Sequence, residues 1–215
     1  MENARYQRLF ISMRYWLLGA AEHDVGYFHA INALEYAKGI HIGLRKDNTT
    51  PEFQHQIEIA LFLRSMNRHM VFPADTLATC FLHDTLEDYA ASHNISLETL
   101  TAKFNARIAN ATWKISKIRD GVKLSNKEYY DEVSTCPIAS IAKGVDRIHN
   151  LSTMHPVFSI KKQREYIQET IEFVLPMLKK ARHLHPQQEA IYENIKFVLN
   201  NFIKMTNDRL AISQE

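Results

Sequence analysis

Cysteine, glycine and proline are all scarce in this chain: its 215 residues include two Cys, six Gly and six Pro. Cys80 and Cys136 have no CxxC spacing and supply no disulfide framework, which points to a reducing, cytoplasmic setting. Cys80 stands among Leu77, Phe81 and Leu82, the surroundings of a packing residue and not of a nucleophile. So few glycines and prolines over long periodic segments argue against a turn-rich β architecture and for helices. An excess of one charge is lacking too. The net charge of +2 excludes a broad nucleic-acid or membrane surface, although a local cationic pocket for phosphates needs only a few side chains. No hydrophobic run is long enough to span a bilayer. Leu9–Ala21 is apolar, but Arg14 interrupts it, and it reads as an amphipathic first helix.

What is present is ordinary core material in helical order. A 46% hydrophobic content over residues 1–215 can bury one substantial core, so a single domain is expected. Phe28–Ala37 reads as a second helix. The polar stretch Arg45–Pro51 reads as a loop ending where Pro51 can open a third helix, which carries His55, Ile59, Phe62 and Leu63 at helical spacing. Pro73 and Asp75 announce a fourth, with Leu77, Phe81 and Leu82 on its apolar side and His83-Asp84 on the same helix. Ser96 is the expected N-cap of a helix running through Phe104 and Ile108 as far as Ile118, and Gly121 marks a loop. Ile141, Ala142, Val145, Ile148 and Leu151 define a helix over 138–151 that carries Asp146. Two helices, Ser159–Leu184 bent at Pro176 and Pro186–Thr206, close the chain. Nothing reads as a sheet, and the expected fold class is all-α, a helical bundle.

Four side chains in this layout are candidate ligands for one ion: His55, the adjacent His83 and Asp84, and the distant Asp146. Two imidazoles and two carboxylates make a mixed nitrogen/oxygen set suited to manganese, iron or zinc. Such an ion lowers the pKa of bound water and polarises a phosphoryl group. Glu87 lies four residues after His83 and three after Asp84, so on a continuous helix it shares their face one turn along. Glu87 and Asp88 are therefore candidate acid/base residues, against the plainer reading of solvated helix charges.

Leu82-His83-Asp84-Thr85-Leu86-Glu87-Asp88 and Lys143-Gly144-Val145-Asp146-Arg147-Ile148-His149-Asn150 closely resemble two signature stretches of the RelA/SpoT-type alarmone hydrolases of the HD superfamily. His41-Ile42-Gly43-Leu44-Arg45-Lys46 resembles a third, upstream signature. The resemblance covers roughly residues 28–185 and looks like that of a stand-alone small alarmone hydrolase. It implies an all-α HD domain, one manganese ion held by His55, His83, Asp84 and Asp146, and Glu87 and Asp88 as catalytic acids. The implied reaction removes the 3′-pyrophosphate from ppGpp or pppGpp. The implied nucleoside contacts fall on Arg45 and Lys46, a planar guanidinium to stack on the base and a donor for its carbonyl edge. Asn150 and Thr153 match residues that touch base or ribose, and Lys143 is placed as a phosphate neighbour. Arg147 reads as a structural partner for a carboxylate, His41 as support for the pocket wall, and Tyr129 and Tyr130 as residues with no assigned place.

The sequence departs from the family pattern just before the first ligand. Thr49-Thr50-Pro51-Glu52-Phe53-Gln54 stands where Gly-x-Pro-Tyr is usual, with Glu52 in the place of an aromatic, and Gln56 replaces a proline. These changes leave the ion site intact and open the choice of purine, so ppApp or pppApp is an alternative substrate. Two other functions compete: an HD phosphohydrolase acting on another nucleotide, such as the 2′-phosphate of NADPH, and a catalytically idle module that binds a nucleotide or a partner protein.

Overall fold

The computed structural model describes residues 4–212. Its helices are α1 (Ala4–Ala21), α2 (Tyr27–Ile40), α3 (Gln54–Arg64), α4 (Pro73–Leu82), the single turns α5 (Thr85–Asp88) and α6 (Ala90–His93), α7 (Leu97–Lys103) and α8 (Ala106–Ile115). After a short hairpin come α9 (Asn126–Ser134), α10 (Pro137–Thr153), α11 (Ile160–Glu169), α12 (Leu175–Leu184) and α13 (Glu189–Ile212). The expected all-α bundle is what forms.

Helix α10 is the organising element, packed against α3, α4, α8, α9, α12 and α13. Ile138, Ile141, Val145, Ile148 and Leu151 are buried along it, and α2 packs closely on α4. At Gly144 a Cβ would lie 2.9 Å from Ile195 Cγ2 and 3.0 Å from Leu178 Cδ2. The glycine is thus what lets α10 approach α13 and α12, and this approach sets the depth of Asp146 two residues later.

Five features differ from the sequence reading. The His-Asp pair does not lie on a continuous helix: α4 ends at Leu82, and α5 starts at Thr85. Side-chain hydrogen bonds take over from the helical ladder there. His83 Nδ1 is 2.9 Å from the Cys80 carbonyl, and Thr85 Oγ1 donates to the Leu82 carbonyl at 2.6 Å. The helix expected over Ser96–Ile118 is two. Asn105 caps α8 by accepting from the Ile108 N–H at 2.9 Å, so it breaks the chain after Lys103.

The Gly121 loop is a hairpin of β1 (Ile118–Arg119) and β2 (Val122–Lys123), pairing Ile118 with Lys123 and Arg119 with Val122. Asp120 (φ 49°) and Gly121 (φ 77°) form its two-residue turn, the conformation that an Asp-Gly dipeptide favours. Pro51 does not open α3. It bridges Leu44 across a turn, and α3 starts three residues later. Finally, the single helix expected over Ser159–Leu184 is interrupted by a π-helical stretch over Thr170–Val174, and Pro176 falls in the first turn of α12 after it.

Candidate functional site

The donor atoms converge because three elements end or begin at one place. His55 is in the first turn of α3, His83 and Asp84 occupy the break between α4 and α5, and Asp146 lies in mid-α10. One ligand atom each from His55, His83 and Asp84 falls within 4.8 Å of the others. Asp146 Oδ1 lies 3.1 Å from His55 Nε2 and 3.8 Å from His83 Nε2, and Asp84 Oδ2 lies 3.0 Å from His83 Nε2.

This set fits a divalent cation. Bonds of about 2.1 Å at right angles place neighbouring donors about 3.0 Å apart, close to the two shortest separations here. His83 Nε2 is buried and makes no aligned hydrogen bond although two carboxylates stand near it. Such an orphaned nitrogen is costly unless a cation or proton satisfies it.

The electrostatics are those of a tightly coupled cluster. Burial lowers His55 to about 4 against the attraction of Asp146. Burial acts in the same sense on His83, but Asp84 and Asp146 outweigh it and raise that ring to about 9. Asp146 is held well below the usual carboxylate range. Burial opposes this, and Lys143 and the two histidines prevail. Lys143 Nζ donates to Asp146 Oδ2 at 2.8 Å.

The cluster floors a cavity of about 640 Å³, and every residue expected from the sequence to bind metal or substrate or to act as an acid lines it. Glu87 and Asp88 are exposed at its edge. Glu87 Oε2 accepts from the backbone N–H of Lys117 at 2.8 Å. Asp88 is raised to about 6, first by burial against its surroundings and then by repulsion from Asp84, Glu87 and Glu52.

The 41–53 loop presents Arg45 and Lys46 to the same cavity. Asp47 accepts from the N–H groups of Thr49 (2.9 Å) and Thr50 (2.8 Å), which fixes this loop. Lys46 Nζ stands 4.8 Å over the Phe158 ring. Asn150 bridges two expected partners: it donates to Asp146 Oδ1 at 2.6 Å and accepts from Arg45 Nη2 at 3.4 Å. Thr153 Oγ1 is turned to the His149 carbonyl at 2.9 Å.

Glu52 fills the place of the usual aromatic with a polar clasp. It lies 3.0 Å from His41 Nδ1 and accepts from Tyr89 OH at 2.6 Å. Gln56 donates to Asp84 Oδ2 at 3.2 Å, a contact that a proline there lacks. Arg147 does pair with a carboxylate, Glu169, at 2.5 Å. Tyr129 and Tyr130 stay out of the cavity, buried with their hydroxyls on the Ile115 carbonyl and Glu169. Sequence reasoning missed Arg5, Glu58, Phe158 and Tyr166, which also line the cavity. No motif marked them, because each reaches the site only through the packing of α1, α3 or the segment after α10.

Comparison with known proteins identifies a family. A family profile described as HD domain matches residues 33–173. The chain is 24% identical over 197 residues to the guanosine-3′,5′-bis(diphosphate) 3′-pyrophosphohydrolase of Aquifex aeolicus, covering 83% of this chain and 26% of that one. It is 28% identical over 156 residues to a GTP pyrophosphokinase of Myxococcus xanthus, covering 67% and 19%. Against the bifunctional (p)ppGpp synthase/hydrolase SpoT of Escherichia coli it is 24% identical over 180 residues, covering 78% and 25%. The chain thus spans about a quarter or less of the length of these relatives.

Proposed function

The chain belongs to the HD-domain family, and on that premise we propose that it is a divalent-metal-dependent 3′-pyrophosphohydrolase of guanosine alarmones, (p)ppGpp, with manganese as the working ion. One observation carries this reading. A single cavity is lined by a mixed nitrogen/oxygen donor cluster, by the acids Glu87 and Asp88, and by Arg45, Lys46, Phe158 and Tyr166, the cations and aromatics that a nucleobase would pack against. His55, His83, Asp84 and Asp146 would hold the ion. When bound, it supplies Lewis acidity toward the phosphoryl group and lowers the pKa of water.

In the proposed reaction water adds to the phosphorus on the ribose 3′-oxygen, the P–O3′ bond breaks, and the departing oxygen takes a proton. Asp88, raised to about 6, is poised to hold or release a proton near neutrality. Glu87, anchored by Lys117, is the second acid at the same edge. Lys143 brings a half-buried positive charge beside Asp146 to offset developing phosphate charge. Arg45 can stack on the purine, with Lys46 donating to the O6 edge and Phe158 and Tyr166 completing the wall.

A second reading replaces guanine by adenine, a choice left open by the Glu52 clasp where an aromatic is usual. Incubating the purified protein with Mn²⁺ and ppGpp, pppGpp, ppApp or NADPH separates the possibilities by chromatography. GDP or GTP with pyrophosphate supports the first reading and a product from ppApp alone supports the second. NADH with orthophosphate, or no turnover of any nucleotide, overturns both.

A further inference from the structure

His149 also lines the cavity, and its contacts are directional. It lies three residues after Asp146 on α10, and its ring crosses to α3. His149 Nδ1 is 2.9 Å from His55 Nδ1, and His149 Nε2 is 2.7 Å from Glu58 Oε2. Glu58 is itself fixed through its other oxygen, which accepts from Gln54 Nε2 at 3.0 Å and from Arg5 Nη2 at 2.7 Å. Arg5 belongs to α1, outside the segment matched by the HD profile.

With both rings neutral and a cation held between His55 Nε2 and Asp146 Oδ1, which otherwise face each other at 3.1 Å, these contacts have one self-consistent arrangement of hydrogens. An ionised carboxylate only accepts, so His149 carries its hydrogen on Nε2, toward Glu58. Its Nδ1 then keeps a lone pair and must accept from His55 Nδ1. His55 is left with an Nε2 lone pair, and that nitrogen is the one facing Asp146 Oδ1 at 3.1 Å within the donor cluster. The reverse tautomer would set two lone pairs against each other at Glu58 and put a hydrogen on His55 Nε2, where it would block coordination.

His83 solves the same problem locally, with its Nδ1 on the Cys80 carbonyl. His55 has no such carbonyl and relies on a second imidazole backed by a carboxylate. We infer that Glu58 and His149 are positioning residues that fix the tautomer and ring orientation of His55 for metal binding, and that Arg5 ties α1 into this support. The inference rests on the cation site proposed above. Outer partners of ligating histidines generally act in this way.

The test is Mn²⁺ binding to the full chain after chelator treatment, followed by the free-ion EPR signal, with thermal melts of the metal-free proteins alongside. Glu58→Gln and His149→Phe should each weaken Mn²⁺ binding by about 10- to 100-fold. Their metal-free melting temperatures should stay within about 3 °C of wild type, since neither change opens a core cavity. The double variant should lose no more affinity than His149→Phe alone, because the two residues act in series. His149→Gln, whose amide can accept from His55 and donate to Glu58, should restore part of the affinity. Glu58→Gln is nearly isosteric and keeps the measurement decisive should His149→Phe fail to fold. Folded variants that bind Mn²⁺ as tightly as wild type overturn the relay and leave the cation site standing. A wild-type chain that binds no Mn²⁺ overturns both.

Discussion

Glu87 Oε2 accepts the backbone N–H of Lys117 at 2.8 Å, so the acid is tethered to the residue just before the β1–β2 hairpin. The tether restricts its rotamers and turns a surface-type glutamate into one with a fixed address at the cavity edge. Glu87→Gln should therefore keep the fold and bind Mn²⁺ within about threefold of wild type, while kcat drops by about 10²–10⁴-fold. Calorimetric metal titration and single-turnover kinetics check the two halves separately. Normal turnover would remove Glu87 from the chemistry.

The helices and the donor set were legible because both are local or strongly periodic signals. Ile141, Val145 and Ile148 announce α10 by spacing alone, and Asp146 rides on it. The break at His83-Asp84 was not legible. No glycine or proline marks it, and it depends on the His83 and Thr85 side chains competing for the carbonyls of Cys80 and Leu82. The hairpin was written in Asp120-Gly121, but two-residue strands are too short to show an alternating pattern. Glu58 and His149 stayed hidden for a different reason: their partners lie 91 residues apart in the chain and meet only in the folded state.

Gly144→Ala should destabilise the protein by about 1–3 kcal/mol, since a Cβ would meet Ile195 at 2.9 Å and Leu178 at 3.0 Å in a packed core. For a chain of this size that corresponds to a fall in melting temperature of about 2–12 °C. An unchanged melt would mean that α12 and α13 yield more easily than their burial suggests.

Asp88 supplies a pH signature. Its folded pKa of about 6 exceeds the ordinary 3.8, so the folded state holds this proton more tightly than the unfolded chain. The associated stability is present below about pH 4 and is lost as pH rises through 6. Because the side chain is exposed, screening reduces the effect to roughly 0.5–1 kcal/mol. Asp88→Asn in the metal-free protein should melt about 1–4 °C higher than wild type at pH 7.5, and the gap should close toward pH 4. A gap that is constant with pH would assign the effect to something other than this carboxyl.

Arg45 reaches into the cavity and is held by Asn150, whose amide donates on to Asp146 of the donor cluster. If it holds the purine equally in ground and transition states, Arg45→Ala should raise KM by about tenfold or more and lower kcat by less than about threefold. Steady-state kinetics with the alarmone found to be the substrate give both numbers. A change confined to kcat would place Arg45 at the reacting phosphate instead.

Binding of an ion to the folded state alone must raise its stability. At 100 times the dissociation constant the gain is about 2.7 kcal/mol, a rise of about 5–11 °C in melting temperature for a chain of this length. Mn²⁺ should produce that shift in wild type, and excess chelator should reverse it. Asp84→Ala removes one donor and also the partner of His83 Nε2 at 3.0 Å, so it should abolish the shift and the activity together. His83→Ala should do the same, because it removes the buried nitrogen whose lone pair the ion would satisfy. A full Mn²⁺ shift in either folded variant would show that the ion binds elsewhere.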